Sequence, residues 1–560
     1  MAASANANST YTNPILPGWH SDPSCIFVPE QDNTFFCTVS TFLTFPGIPI
    51  YASKDLQNWK LVSNAFNRQS QVPRLANETS QTQQDGLWAP TLRYRTGKFY
   101  LATSYVSMQP AFTAQGLLFT SDNPYSDDAW SDPMHFHLGD IDPDLFWDDD
   151  GTVYVSYAGI SQQNLDLKTG ATGPAYKIWS GSGGRTPEGP HIYKKDGWYY
   201  LSIGEGGTEL GHRQTVARSR RVSGPYEGYS GNPLLTNANT TEYFQTVGHA
   251  DFFEDANGNW WGAALATRSG PQWTVYPMGR ELVLFPVRWE EGDWPVVDQV
   301  RGRMDGWDLP SAGSCKGIPG DGAYVDASDD VHFAPGSSIP SHFLYWRFPK
   351  EDSFAVSPPG HPFSLRLLPS ESITGNGVPG NDVESTAITL IMRRQSHTYF
   401  AYSVDVSFGP QVDGEEVGVT VFLTQFQHID LGIVLLPSAE DSDTLVPHVR
   451  FRVTYLGAQG VDIPETIIQP LTQRHSSSTV QARLQIQAVN TTHYALSARV
   501  LGVAEFKFET HAEARLVSGG TGPFTGALLG VYATSNGGLG QTASYISNWK
   551  YHGHGQYIGG

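Results

Sequence analysis

One supersecondary unit recurs five times in the N-terminal part of the chain, and it narrows the choice of fold more than any other feature. Each copy is an apolar strand, a turn rich in Gly, Asp or Asn, and an aromatic return strand. The copies occupy residues 24–41 (SCIFVPEQDNTFFCTVST), 91–104, 144–157, 191–204 and 251–267. Internal repetition at this scale signals an array of like units rather than one continuous core. With antiparallel hairpins and no helical periodicity, the pattern predicts an all-β fold built on a five-bladed β-propeller.

The residues just ahead of each hairpin carry the chemical information. Asp22 precedes the first, Trp88-Ala89-Pro90 the second, Asp142-Pro143 the third, Glu188-Gly189-Pro190 the fourth and His249-Ala250 the fifth. Blades of a propeller converge on one channel, so equivalent positions at the entry to each innermost strand face a shared cavity. Three carboxylates, a Trp and a His are thereby expected together. Asp-Pro and Glu-Gly-Pro are also ordinary turn formers. That reading explains any one of them, but not their recurrence at the same place in successive blades.

A chain of 560 residues is too long for one core, so at least two domains are expected. Acidic residues outnumber basic ones 55 to 35, a net charge of −20. This excludes nucleic acid and anionic membrane surfaces as partners, since both require basic patches. No apolar run approaches the length of a membrane span. The low charged fraction (16%) and high aromatic fraction (12%) suit an extracellular β-protein that stacks against sugars, and secretion is expected. No signal peptide is recognisable at the N-terminus. Sequons at Asn8, Asn77, Asn239 and Asn490 are consistent with secretion but arise readily by chance. Three cysteines make no disulfide framework. Cys25 and Cys37 lie on the two arms of the first hairpin, either as a cross-strand disulfide or as two buried thiols.

Four segments follow from the patterning: a flexible tail over 1–12, the propeller over 13–308, a Pro/Gly/Ser/Asp-rich linker over 309–340, and a second domain over 341–560. In the second domain Phe400, Tyr402, Val404, Val406 and Phe408 alternate strictly with other residues, as do Val480, Ala482, Leu484, Ile486 and Ala488. Period-two alternation over long strands predicts a β-sandwich with one buried face per sheet. The polar stretch 68–84 reads as a long loop on the propeller rim.

Three carboxylates in one pocket suit acid–base chemistry on an uncharged substrate, with glycoside hydrolysis the leading case. One activates water, one protonates the leaving oxygen, and a third keeps the acid protonated through like-charge repulsion. The ordered set Trp19-His-Ser-Asp-Pro-Ser24, Gly86-Leu-Trp-Ala-Pro90, Ile141-Asp-Pro-Asp-Leu-Phe146 and Glu188-Gly-Pro-His191 resembles glycoside hydrolase family 43. The opening residues 13–20 look closest to fungal members that remove arabinofuranose from arabinoxylan. The resemblance implies Asp22 as general base, Asp142 as the tuning carboxylate, Glu188 as general acid and inversion at the anomeric carbon. It implies Arg280 as a sugar contact beside the base. It also implies His249 at the channel centre, either beside a calcium ion or simply hydrogen-bonded without metal. A lone His is a poor calcium ligand set, because calcium prefers oxygen. Phe45 and Trp88 are candidate sugar-stacking walls or plain blade core. No cofactor is expected for catalysis, and a monomer acting on polysaccharide is expected. A β-xylosidase is the alternative within the same chemistry, and a non-catalytic carbohydrate-binding protein the alternative outside it.

Overall fold

The computed structural model describes residues 9–77, 83–310, 317–373, 387–457, 460–471, 479–502 and 506–559. Five four-stranded antiparallel sheets succeed one another along the chain and form the blades. Their innermost strands begin at Ser24, Gly86, Asp144, Glu188 and Phe244. Turn chemistry sets the hairpins. In blades two and four only Thr96-Gly97 and Asp196-Gly197 separate the paired residues Arg95↔Lys98 and Lys195↔Trp198. All four turn residues have positive φ, the two-residue turn whose twist matches that of the flanking strands. In blade one Cys25 and Cys37 face each other across the hairpin and are joined as a disulfide.

The second domain is a sandwich of two eight-stranded sheets. Strand Tyr399–Phe408 shows why. Phe400, Tyr402, Val404, Val406 and Phe408 are all buried in the inter-sheet core, while the intervening Ser403 and Ser407 are not. The last long strand, Ser544–Gly555, lies within its sheet, between Tyr399–Phe408 and Leu365–Leu367. Among the described residues there are no α-helices, only short 3-10 turns.

Three expectations about boundaries change. The tail expected over 1–12 ends in a strand, because Ser9–Thr12 pairs with Arg303–Gly306 and ties the start of the propeller to its end; residues 1–8 lie outside the described set. Much of the expected linker is fastened down. The Leu61 amide donates to Ala323, that of Val325 to Trp59, and Lys60 reaches the carbonyls of Ile318 and Gly320. Its Asp329–Val331 pairs with the final sandwich strand. Composition predicted a loop here, and the outer edge of blade one partners backbone groups of Ile318, Gly320, Ala323 and Val325. Finally, the two domains share a sheet. Thr44–Phe45 of the propeller pairs with Leu344–Trp346, which pairs with Leu390–Arg394 of the sandwich. The rim loop adds to this seam, with Val72 and Leu75 buried in the same core as Trp346 and Phe422.

Candidate active site

A single backbone device builds the pocket five times. Asp22, Ala89, Asp142, Gly189 and His249 have φ of 52°, 40°, 61°, 54° and 52°. Each stands two residues ahead of a position in regular register with the second strand: Ser24, Thr91, Asp144, His191 and Asp251. In blades two, four and five the register shifts across this point, which marks a bulge that re-aims side chains. Left-handed φ on a non-glycine residue costs about 1–3 kcal/mol and persists where the surroundings enforce it. Four of the five positions carry side chains here, and three of those are polar groups aimed at one cavity. In blade four the left-handed residue is glycine, and the functional carboxylate is its neighbour Glu188. A Cβ on Gly189 would stand 3.0 Å from the His249 ring, so the glycine lets that imidazole pack against the backbone.

Asp22 is buried and closely held. Arg280 donates to both its oxygens, at 2.7 and 3.3 Å, and the Ser40 hydroxyl donates at 2.6 Å. Burial alone would raise its pKa, but Arg280, the nearby His249 and the Ser40 hydrogen bond outweigh burial and hold it below the usual carboxylate range. Asp142 is also buried and accepts the Gly189 amide at 3.0 Å. Glu188 is half-buried and its carboxyl has no hydrogen-bond donor among the described residues. Desolvation, then the Asp22 charge, pushes Glu188 up to about 8, with Glu209 adding to the shift and Arg280 opposing it. Burial and the charges of Glu188 and Asp22 push Asp142 up as well. Two such neighbours cannot both ionise freely. The Gly189 amide favours the charged form of Asp142 and opposes part of that rise, while Glu188 stays protonated to about pH 8. The pocket thus holds an ionised carboxylate and a protonated one at the same pH, as acid–base chemistry at a glycosidic bond requires.

The two expected aromatic walls separate. Trp88 faces the pocket side and packs with Phe42 and Phe524 at centroid distances of 5.2 and 5.4 Å. Phe45 does not join them. Its ring packs edge-on to Phe66 and Phe348 at the domain seam, and its backbone is in the shared sheet. Phe42, three residues earlier, is buried behind Trp88 and Phe524 and packs against both rings. Phe524 comes from the sandwich, and its carbonyl accepts from Arg280 at 3.1 and 3.2 Å. The second domain therefore sets both a wall of the pocket and the arginine that holds Asp22.

Below the pocket the axis carries its own cation. Arg93 stands 2.8 Å from Asp144 and 2.8 Å from Asp251, and donates to His191 at 3.1 Å. Burial would raise Asp251, but Arg93 and His191 outweigh it and hold that carboxyl at about 2. His249 lies 3.9 Å from Asp22, and burial lowers its pKa to about 4, so it is neutral. No carboxylate on the axis is left free for a calcium ion, so water would have to complete any shell at His249. The axial carboxylates are engaged by Arg93, Asp22 is engaged by Arg280, and no metal-holding group of three or more His, Cys, Asp or Glu occurs among the described residues.

The fold agrees with the comparisons. Residues 11–295 match the model of glycosyl hydrolases family 43. The chain belongs to this family. Residues 330–551 match the β-xylosidase C-terminal concanavalin A-like domain. The chain is 31% identical to a non-reducing end α-L-arabinofuranosidase of Bacteroides ovatus, covering 96% of this chain and 94% of that one. It is 32% identical to a xylosidase/arabinosidase of Butyrivibrio fibrisolvens, covering 96% and 98%. Among solved structures, a xylan β-1,4-xylosidase from Bacillus halodurans superposes with a TM-score of 0.81 at 26% identity, covering 97% of this chain and 99% of that one. This family 43 chain is a glycoside hydrolase, and a polysaccharide is its class of substrate.

Proposed function

We propose that the chain is an inverting, exo-acting hydrolase that releases single α-L-arabinofuranosyl residues from arabinoxylan. The observation that carries the reading is the pairing of an ionised Asp22, fixed by Arg280 and Ser40, with a protonated Glu188 in one pocket. In this reading Asp22 draws a proton from water as the water attacks the anomeric carbon. Glu188 gives its proton to the departing glycosidic oxygen, and Asp142 holds Glu188 protonated between turnovers. The wall formed by Trp88 and Phe524, backed by Phe42, favours one terminal sugar over a polymer passing through. No metal takes part in the reaction, and the protein acts as a monomer outside the cell, where the Cys25–Cys37 disulfide persists.

A second reading, release of β-xylosyl ends from xylo-oligosaccharides, is favoured by the match of the sandwich to a β-xylosidase C-terminal domain. Product analysis on arabinoxylan beside linear xylo-oligosaccharides separates the two. Arabinose from the polymer is expected. Xylose from the oligomers without arabinose from the polymer would replace the first reading by the second. Proton NMR of the first product should show the inverted anomer, and a retained anomer would refute the assigned roles.

A further inference from the structure

Where the sandwich docks on blade one, a pocket of about 40 Å³ opens beside the half-exposed Tyr324. Leu61, Ala323 and Val325 give it apolar walls, and Arg393, Arg394 and Asp329 give it charge. It is separate from the acid–base pocket, although both border the loop that runs from Gly18 to Asp22.

The charges in this pocket do not balance. Arg393 lies 2.8 Å from Asp329, and His342 bonds the other oxygen of that carboxylate at 3.1 Å. That cluster satisfies its own carboxylate. Arg394 has no such partner. Its side chain is buried, with 9% of the residue exposed, and its Nε donates to the Trp19 carbonyl at 2.9 Å. One terminal nitrogen, Nη2, is buried without any acceptor, and no carboxylate lies within ion-pair distance among the described residues. His20 offers Arg394 no free acceptor, since its ring nitrogens are engaged by the Gly18 carbonyl and the Tyr51 hydroxyl. The Trp19 ring, 5.3 Å from the guanidinium, offsets part of the charge. Arginine does not escape by losing its proton, and an uncompensated buried charge is strongly unfavourable.

We propose that this interdomain pocket binds a small monovalent anion, such as chloride or a short carboxylate, against the Arg394 guanidinium. A monoanion cancels the one unbalanced charge. A dianion such as sulfate would meet Asp329 and the apolar walls without enough donors to replace its hydration. The bound anion would also brace the active site indirectly. Arg394 holds the carbonyl of Trp19, three residues ahead of Asp22, and Gly18 lies so close to Gln395 that a Cβ there would come within 2.3 Å of its carbonyl oxygen.

The test uses the full chain, exchanged into gluconate at constant ionic strength. Added chloride or bromide should raise Tm by about 2–4 °C and then plateau. Crystals soaked in bromide should show an anomalous peak beside Arg394 Nη2. If formate or acetate displaces that bromide, the pocket takes short carboxylates as well; if neither does, it is a halide site. R394Q should lose both the plateau and the peak. Should R394Q fail to fold, the wild-type measurements decide alone. A water without anomalous signal at that position overturns the proposal. So does a bromide peak without a saturable Tm shift, which would mean binding at crystal concentration only.

Discussion

Replacing Glu188 by Gln tests the division of labour between the two carboxyls, because it keeps shape and removes the proton. The structure supplies the magnitude. With its pKa at about 8, about 99% of molecules carry the Glu188 proton at pH 6, against about 3% for a carboxyl at the ordinary 4.5. Desolvation and the Asp22 charge therefore raise the fraction of competent acid roughly thirtyfold at that pH. Because this pKa is raised and the protonated form is active, activity is present below about 8 and falls as pH rises through it. Loss of a positioned general acid lowers turnover by about 10²–10⁴, or about 2.7–5.4 kcal/mol of barrier. A leaving group that departs without a proton should feel much less of this, about tenfold or less. The assay is kcat/KM from pH 4 to 10 on arabinoxylan oligosaccharides and on aryl arabinofuranosides with increasingly acidic phenols. E188Q should lose the alkaline limb and show a deficit that shrinks with phenol acidity. An unchanged alkaline limb in E188Q, or an equal deficit for all leaving groups, would refute the assignment of the proton to Glu188.

Three further outcomes are expected. Phe524→Ala removes one of two wall rings and the packing that steadies the Arg280 contact, so kcat/KM should fall by about tenfold, on the scale of an aromatic contact, while circular dichroism stays native; an unchanged kcat/KM would remove the sandwich from the pocket. Gly189→Ala places a methyl against His249 at a positive φ, and a loss of Tm together with a loss of kcat is expected from strain of about 1–3 kcal/mol. Treatment with EDTA should leave kcat and Tm unchanged, because Arg93 already meets the axial carboxylates; reactivation by calcium after chelation would contradict this.

The propeller was legible because each hairpin announces itself locally, through turn residues and aromatic return strands. The candidate trio was gathered from its place ahead of blades one, three and four, although Glu188 stands one residue before the left-handed position that Asp22 and Asp142 occupy. A further ring could have been read the same way: two residues on, Ser24, Thr91, Asp144, His191 and Asp251 stand in register, and Arg93 follows at the next inward position of its strand. Phe45 could not be placed from sequence. Its side depends on pairing with Leu344–Trp346, a strand of the other domain. Phe524 carried no local signal at all, since a glycine-rich loop looks the same whether it faces solvent or a pocket. The linker misled for the opposite reason: composition reports backbone freedom in the unfolded chain, whereas blade one supplies the partners that remove it.

The position of Ser544–Gly555 inside its sheet has a consequence for biogenesis. The sheet remains two unjoined pieces until this segment is made, so the sandwich cannot close during synthesis of the strands before it. Domains tend to fold as units from the N-terminus at a synthesis rate of about 5–20 residues per second. The blades can therefore assemble well before Phe524 reaches Arg280. Hydrolytic competence is then a late event, acquired when the second domain docks. A nascent or truncated propeller would carry its acid and base yet lack Phe524, whose ring completes the wall and whose carbonyl steadies Arg280.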